Sequence, residues 1–191
     1  NINKSININY KSNPLTVFDL NKQYCEDLIR IYKQKYNLNA FTLRFANVFG
    51  PGNSVDKDRG VINKMINSAV KFNKITLFGN GKIIRDFLYI DDATEAIYLS
   101  LKYKFKLSVN DFYYISTNKG VSFKDFAEKL KLIIKKKYNK FLKIKYISWP
   151  KTINLIDKRS FVGNNKQFVK ITSWKPERNL VRNINRYLNS L

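Results

Sequence analysis

Residues 75–92 read Ile75-Thr76-Leu77-Phe78-Gly79-Asn80-Gly81-Lys82-Ile83-Ile84-Arg85-Asp86-Phe87-Leu88-Tyr89-Ile90-Asp91-Asp92. Ile75 to Phe78 has the length and pattern of a short strand, and Gly79-Asn80-Gly81 stops it with a turn. Arg85 to Ile90 is a second strand-like run. It enters Asp91-Asp92, two carboxylates placed to cap a helix from Ala93 to about Tyr103 and to face its positive end. Strand, turn, strand and helix in direct succession indicate an α/β chain.

The same alternation extends outward on both sides. Upstream, residues 1–13 are polar and read as a loop or arm. Leu20, Tyr24, Leu28, Ile31 and Tyr32 then recur at helical spacing, with Thr16 as cap and Asp19 three residues on, predicting a helix to about Lys35. Ala40 to Phe49 reads as one buried strand ended by Gly50-Pro51-Gly52, and Asp56 to Gly60 as a charged loop before a helix through Val61, Met65 and Val70. Downstream, Phe112 to Ile115 is a short strand, and Ser122 with Asp125 opens a helix through Ile134. Leu142 to Trp149 is a strand ended by Pro150, and the tail holds a short helix near Lys166 and a last helix to the C-terminus. No internal repeat is visible.

Composition removes several chemistries. The 191 residues include no His and one Cys, which excludes imidazole catalysis, His-containing zinc sites and disulfides within the chain. No apolar run approaches the roughly 18–20 residues of a membrane span, and no signal-peptide pattern is present. The expectation is a soluble, cytoplasmic protein with no membrane partner. With 36 Lys and Arg against 14 Asp and Glu, the net charge is +22. The nearest thing to a block is Lys135-Lys136-Lys137 with Lys140, Lys143 and Lys145, and lysines gather naturally at a helix C-terminus. Along the sequence the charge is otherwise spread, so a solvated surface is preferred to nucleic-acid binding.

Four segments in order resemble one family. Pro14 to Lys22 with Glu26 is similar to a P-x-x-x-Y-x-x-x-K-x-x-x-E helix, and Leu43-Arg44-Phe45-Ala46-Asn47-Val48-Phe49-Gly50-Pro51 to L-R-x-x-N-V-Y-G-P. Leu77 to Gly81 with Arg85 to Asp92 looks like Y-G-[DN]-G-x-x-x-R-D-[FWY]-[IL]-Y-V-D-D, and Ser173-Trp174-Lys175-Pro176 like G-W-x-P. Together they span residues 14–176 and resemble the C-terminal part of the extended short-chain dehydrogenase/reductases, the NAD-dependent epimerase/dehydratase family acting on nucleotide sugars.

By that resemblance, a Tyr at position 18 would exchange the proton that accompanies hydride transfer, while Lys22, one helical turn on, would touch the nicotinamide ribose. Here the position holds Phe18, which has no hydroxyl. Phe45 would stand on the cofactor side. Asn47, Phe78, Arg85 and Arg159 would hold the substrate: Asn47 and the guanidinium of Arg85 on the diphosphate, Phe78 beside the base, Arg159 as a second phosphate ligand. Taken without the resemblance, these residues have plainer readings. Phe18 would be a core aromatic, Lys22 a solvated lysine, Asn47 a turn residue and Phe78 a core strand residue, with Arg85 in a salt bridge with Asp86 or Asp91. No metal ligand set is present.

The seven glycines, at 50, 52, 60, 79, 81, 120 and 163, form no G-x-G-x-x-G or G-x-x-G-x-x-G, the turn that cradles a dinucleotide pyrophosphate. With Asn and not Met at position 1, the expectation is a chain that begins inside a longer protein, after the first mononucleotide-binding half.

The resemblance therefore implies the C-terminal part of a Rossmann-like doubly wound parallel sheet plus a small α/β substrate-binding domain. Residues 1–50 and 88–117 would belong to the first, and 51–87 and 118–191 to the second. The implied function is the nucleoside-diphosphate-sugar-binding portion of an NAD- or NADP-dependent epimerase, dehydratase or reductase, inactive alone and homodimeric in its parent. The alternative is a non-catalytic basic module, a degenerate remnant that contacts nucleic acid or an acidic partner.

Overall fold

The computed structural model describes every residue except 1–5, 7, 8, 10, 11, 53–59, 153 and 154. The polar arm expected over 1–13 and the charged loop expected over 56–60 lie largely outside the described residues.

Helix α1 (Val17–Tyr36) starts at the expected cap. Thr16 Oγ1 accepts from Asp19 N–H at 3.1 Å, and Thr16 N–H donates to the Asp19 carboxylate at 3.2 Å, so two orphan donors of the first turn are satisfied reciprocally. Asn37, with φ 51°, ends the helix in the left-handed region that Asn tolerates. No residue of α1 is buried.

The single strand expected over 40–49 is two strands. β1 (Thr42–Phe45) pairs in parallel with β5 (Phe112–Ile115), and β2 (Asn47–Phe49) pairs in parallel with β4 (Ile84–Tyr89). The chain changes sheet at Ala46, whose N–H still reaches the Ile115 carbonyl at 2.9 Å. An apolar run passes through such a switch unbroken, which is why periodicity does not reveal it.

Helix α3 (Ile90–Lys102) begins three residues before the expected Ala93, with Tyr89 as its cap. Asp91 and Asp92 thus lie in the first turn and do not cap it. They still face the positive helix end, and each has a tertiary partner: Asp91 pairs with Arg186, and Asp92 accepts from Glu177 N–H at 3.2 Å. Three short elements escape the sequence reading: α4 (Lys104–Leu107), β6 (Gly120–Ser122), which runs antiparallel to β4, and a 3-10 turn at Leu155–Lys158.

Two helix–strand units, α2 (Val61–Phe72) with β3 (Lys74–Phe78) and α5 (Phe123–Tyr138) with β7 (Lys143–Ile147), are joined by parallel pairing of β3 with β7. With α7 (Leu180–Asn189) they enclose a core that includes Ile66, Ile75, Phe126, Leu130 and Ile184. A second core joins Leu88, Ala96, Tyr113 and Ile115 to Phe168 of α6 (Lys166–Thr172) and to Trp174. The architecture is α/β with parallel pairing, as expected. Among the described residues no helix is long and apolar enough to cross a membrane, and no cluster of His, Cys, Asp and Glu could hold a metal ion.

Asp86 ties the two cores together. It is fully buried, and Oδ1 accepts from Thr117 N–H at 2.9 Å and from Thr117 Oγ1 at 2.7 Å. Burial raises its carboxyl above the ordinary value, and these hydrogen bonds oppose the shift.

Candidate functional site

A cleft of about 960 Å³ opens between α1 and the β1–β2 corner. Its roof is the inner side of α1, with Lys22, Cys25 and Glu26; its floor is Leu43, Phe45 and Asn47; its far wall is Arg85, Ile156 and Arg159.

The roof is held by charge and not by apolar packing. Arg44 of β1 and Glu26 of α1 form a two-pronged pair in which Nε donates to Oε1 at 2.8 Å and Nη2 to Oε2. The same guanidinium lies 3.6 Å from the Phe112 ring centroid and donates to Tyr114 Oη at 3.3 Å. Burial would pull the Arg44 pKa down, but Glu26 and Tyr114 outweigh it and the net shift is upward. Lys33 fixes the other end of α1 through Asp111, at 3.1 Å. Glu26 and Arg44 were legible as motif letters, but nothing in the sequence paired them.

The far wall concentrates positive charge. Arg85 has no carboxylate within ion-pair distance among the described residues. The salt bridge of the plainer reading is absent, because Asp86 is turned inward to Thr117 and Asp91 faces Arg186. Arg85 donates instead to backbone carbonyls: Nη2 to Ile156 at 3.3 Å and to Asp157 at 3.1 Å, and Nη1 to Ile84 at 3.4 Å. These bonds orient the guanidinium without neutralising it. Burial depresses its pKa, Asp157 opposes this, and neighbouring Arg159 depresses it further. Arg159 reaches Asp19 only at 3.9 Å, the longest ion pair among the described residues. Two incompletely compensated guanidinia lining one cleft have the charge to pair with a multiply charged anion.

Five of the seven residues singled out in the sequence therefore share this cleft: Lys22, Phe45, Asn47, Arg85 and Arg159. The other two lie outside it. Phe18 is 69% exposed and so is not the core aromatic of its plainer reading; Lys22 Nζ stands 5.4 Å from its ring centroid. Phe78 stacks on Trp149 with centroids 5.2 Å apart and planes 19° from parallel. Gly79 follows Phe78 with φ 59°, and a Cβ there would come within 2.5 Å of Trp149 Nε1, so glycine is required by both backbone and space. Tyr114 lines the cleft, and no motif marked it.

The chain defined by this fold and cleft belongs to the NAD dependent epimerase/dehydratase family, whose profile matches residues 3–116. It is 32% identical over 129 residues to dTDP-D-glucose 4,6-dehydratase of Dictyostelium discoideum, an alignment covering 68% of this chain and 28% of that one. Among solved structures it resembles dTDP-glucose 4,6-dehydratase from Bacillus anthracis in complex with NAD, with a TM-score of 0.80 and 18% identity over 99% of this chain and 56% of that one. It also resembles UDP-glucose 4-epimerase from Thermus thermophilus in complex with NAD, with a TM-score of 0.78 and 20% identity over the whole chain and 60% of the other. The chain thus spans less than two thirds of the length of each of these proteins.

The fit to NAD is poor within the described residues. Gly50 packs against Ile90, Gly79 against Trp149 and Gly120 against Ile84 and Val162, while Gly60, at the start of α2, has no second glycine in the spacing a pyrophosphate cradle needs.

Proposed function

We propose that the cleft binds a nucleoside-diphosphate sugar, and that this chain is the sugar-nucleotide-binding part of an NAD- or NADP-dependent epimerase, dehydratase or reductase. The observation that carries this reading is Arg85, a partly buried guanidinium oriented by three carbonyls and lacking a carboxylate partner among the described residues. Leaving such a charge uncompensated is costly unless a ligand supplies the counter-charge. A diphosphate does so, with Arg159 as second ligand and the Asn47 amide as a neutral hydrogen-bonding group. Lys22 and Phe45 face the side where the family's cofactor would lie.

The chain supplies binding and positioning, not turnover. Phe18 has no proton to exchange, and the glycine turn for the dinucleotide is absent from the sequence. The same reading assigns 1–50 and 88–117 to the cofactor side and 51–87 and 118–191 to the substrate side. A homodimer of the complete protein through α1 is part of it, favoured by the exposed Tyr24, Ile31 and Tyr32.

The test is ligand-induced stabilisation. UDP-, dTDP-, CDP- and GDP-sugars are added to the chain and the melting temperature is followed; at least one raises it, and Arg85→Ala reduces that rise. No stabilisation by any of the four, or an equal rise in Arg85→Ala, would overturn the proposal. A salt-sensitive stabilisation by nucleic acid alone would favour the basic-module alternative.

A further inference from the structure

Several stretches of the chain contain no acidic residue, 61–85 and 129–156 among them. Residues 61–85 carry four Lys and one Arg, and residues 129–156 carry nine Lys. Far apart in the sequence, they are adjacent in the fold. β3 pairs in parallel with β7, so that Lys74 stands opposite Lys143 and Thr76 opposite Lys145, all four exposed. The lysine block read at Lys135–Lys145 is therefore extended in the fold by Lys74 of the paired strand.

The two turns that lead from α2 into β3 and from α5 into β7 are joined, because Lys143 N–H donates to the Asn73 carbonyl at 2.9 Å. Each turn presents a phenylalanine to solvent: Phe72 is 72% exposed and Phe141 77%. Exposed Lys71, Lys135, Lys136 and Lys140 lie on the same two turns and helix ends. Among the described residues no lysine of the two stretches is in an ion pair. Attraction to the helix dipole accounts for Lys135–Lys137 in the last turn of α5. It does not account for lysines on the strands, nor for two projecting phenyl rings.

We infer that this edge is a docking surface for an anionic lipid bilayer, with Phe72 and Phe141 entering the interface and the surrounding lysines meeting acidic headgroups. Apolar tips ringed by lysine are the pattern of reversible interfacial binding. Nucleic acid fits less well. Lys135 Nζ lies 5.4 Å from the Phe141 ring centroid, over the face that a base would need for stacking. Apart from Arg85 in the cleft, every cation of the two stretches is Lys, a point charge without the planar fork that reads base edges. The bilayer contact differs from the expectation of no membrane partner, and it requires no spanning helix.

The experiment is flotation of the full chain with vesicles of phosphatidylcholine alone and of phosphatidylcholine mixed with phosphatidylserine. The protein floats with the mixed vesicles, stays behind with the neutral ones, and releases as salt rises. Phe72→Ser with Phe141→Ser weakens binding roughly tenfold or more. Lys74→Gln and Lys143→Gln weaken it about fivefold each. The surface of α3 and α4 supplies the control: it also exposes Leu101 and Phe105 beside lysines, but α3 carries the exposed Glu95 as well. Lys102→Gln with Lys104→Gln therefore leaves flotation unchanged. All these positions are exposed, and circular dichroism confirms folding; Lys140→Gln and Lys145→Gln replace any variant with a lowered denaturation midpoint. Failure to float, equal flotation on neutral vesicles, or flotation insensitive to the Phe and Lys changes would overturn the inference. So would tighter binding to a single-stranded oligonucleotide that the Phe changes leave intact.

Discussion

Helices α1 and α5 have similar amphipathic patterns and opposite fates. In α5, Phe126, Ala127, Leu130, Ile133 and Ile134 are buried; in α1 no residue is, and Leu20, Tyr24, Ile31 and Tyr32 are each more than half exposed. Periodicity identifies the face of a helix that is able to pack, but not whether anything packs on it. Helix α5 is fixed by a core. Helix α1 is fixed by Glu26–Arg44 and Lys33–Asp111, which leaves the space beneath it open as the cleft.

The difference is broken most forcefully by truncating one leucine in each helix. Leu130→Ala, at a fully buried position, costs about 2–5 kcal/mol. Leu28→Ala, at 36% exposure on α1, costs about 0.5 kcal/mol or less. Urea denaturation measures both, and similar costs would remove the distinction.

Next in size is the polar clamp. Arg44→Ala leaves Glu26 unpaired at a site where both side chains are about three quarters buried, a loss of roughly 1–3 kcal/mol. Hydrogen exchange should accelerate along α1 and not along α5. Uniform acceleration would mean that the two helices open together. A smaller effect, about 1 kcal/mol, is expected for Thr16→Ala, which removes one half of the capping box; thermal denaturation reads it.

A fourth prediction concerns pH and the join between the cores. Because burial raises the Asp86 carboxyl in the folded state, folding takes up a proton there. The stability from this group is fully present below the unfolded carboxyl value, about 3.9, and is lost as pH rises through the raised folded value. Asp86→Asn should flatten the stability profile across that window. An unchanged slope would show that Asp86 does not titrate abnormally.

Much of this was legible in the sequence because local rules decided it. Thr16 and Asp19 are a cap by spacing, and Ser122 accepts from Asp125 N–H as its pattern required. Lys22, Asn47 and Arg85 stand in the motifs and all line one cleft, which Arg159, outside the four motifs, lines as well. What escaped the sequence depends on non-local partners. The sheet switch at Ala46 follows from which strand lies beside it. The start of α3 at Ile90 reflects Arg186 and Glu177, residues from the far end of the chain that engage Asp91 and Asp92. Phe78 is turned onto Trp149, a neighbour supplied by the segment after β7. Lys71 and Lys74 join the lysine block at Lys135–Lys145 only when β3 and β7 pair.

The most direct measurement is calorimetric titration of the chain with UDP-glucose and dTDP-glucose, each against its nucleoside monophosphate, in wild type and Arg85→Ala. If the paired guanidinia grip a diphosphate, at least one sugar nucleotide binds much more tightly than its monophosphate, and Arg85→Ala weakens it roughly tenfold to a hundredfold. Equal binding of sugar nucleotide and monophosphate, or an affinity untouched by Arg85→Ala, would contradict the account.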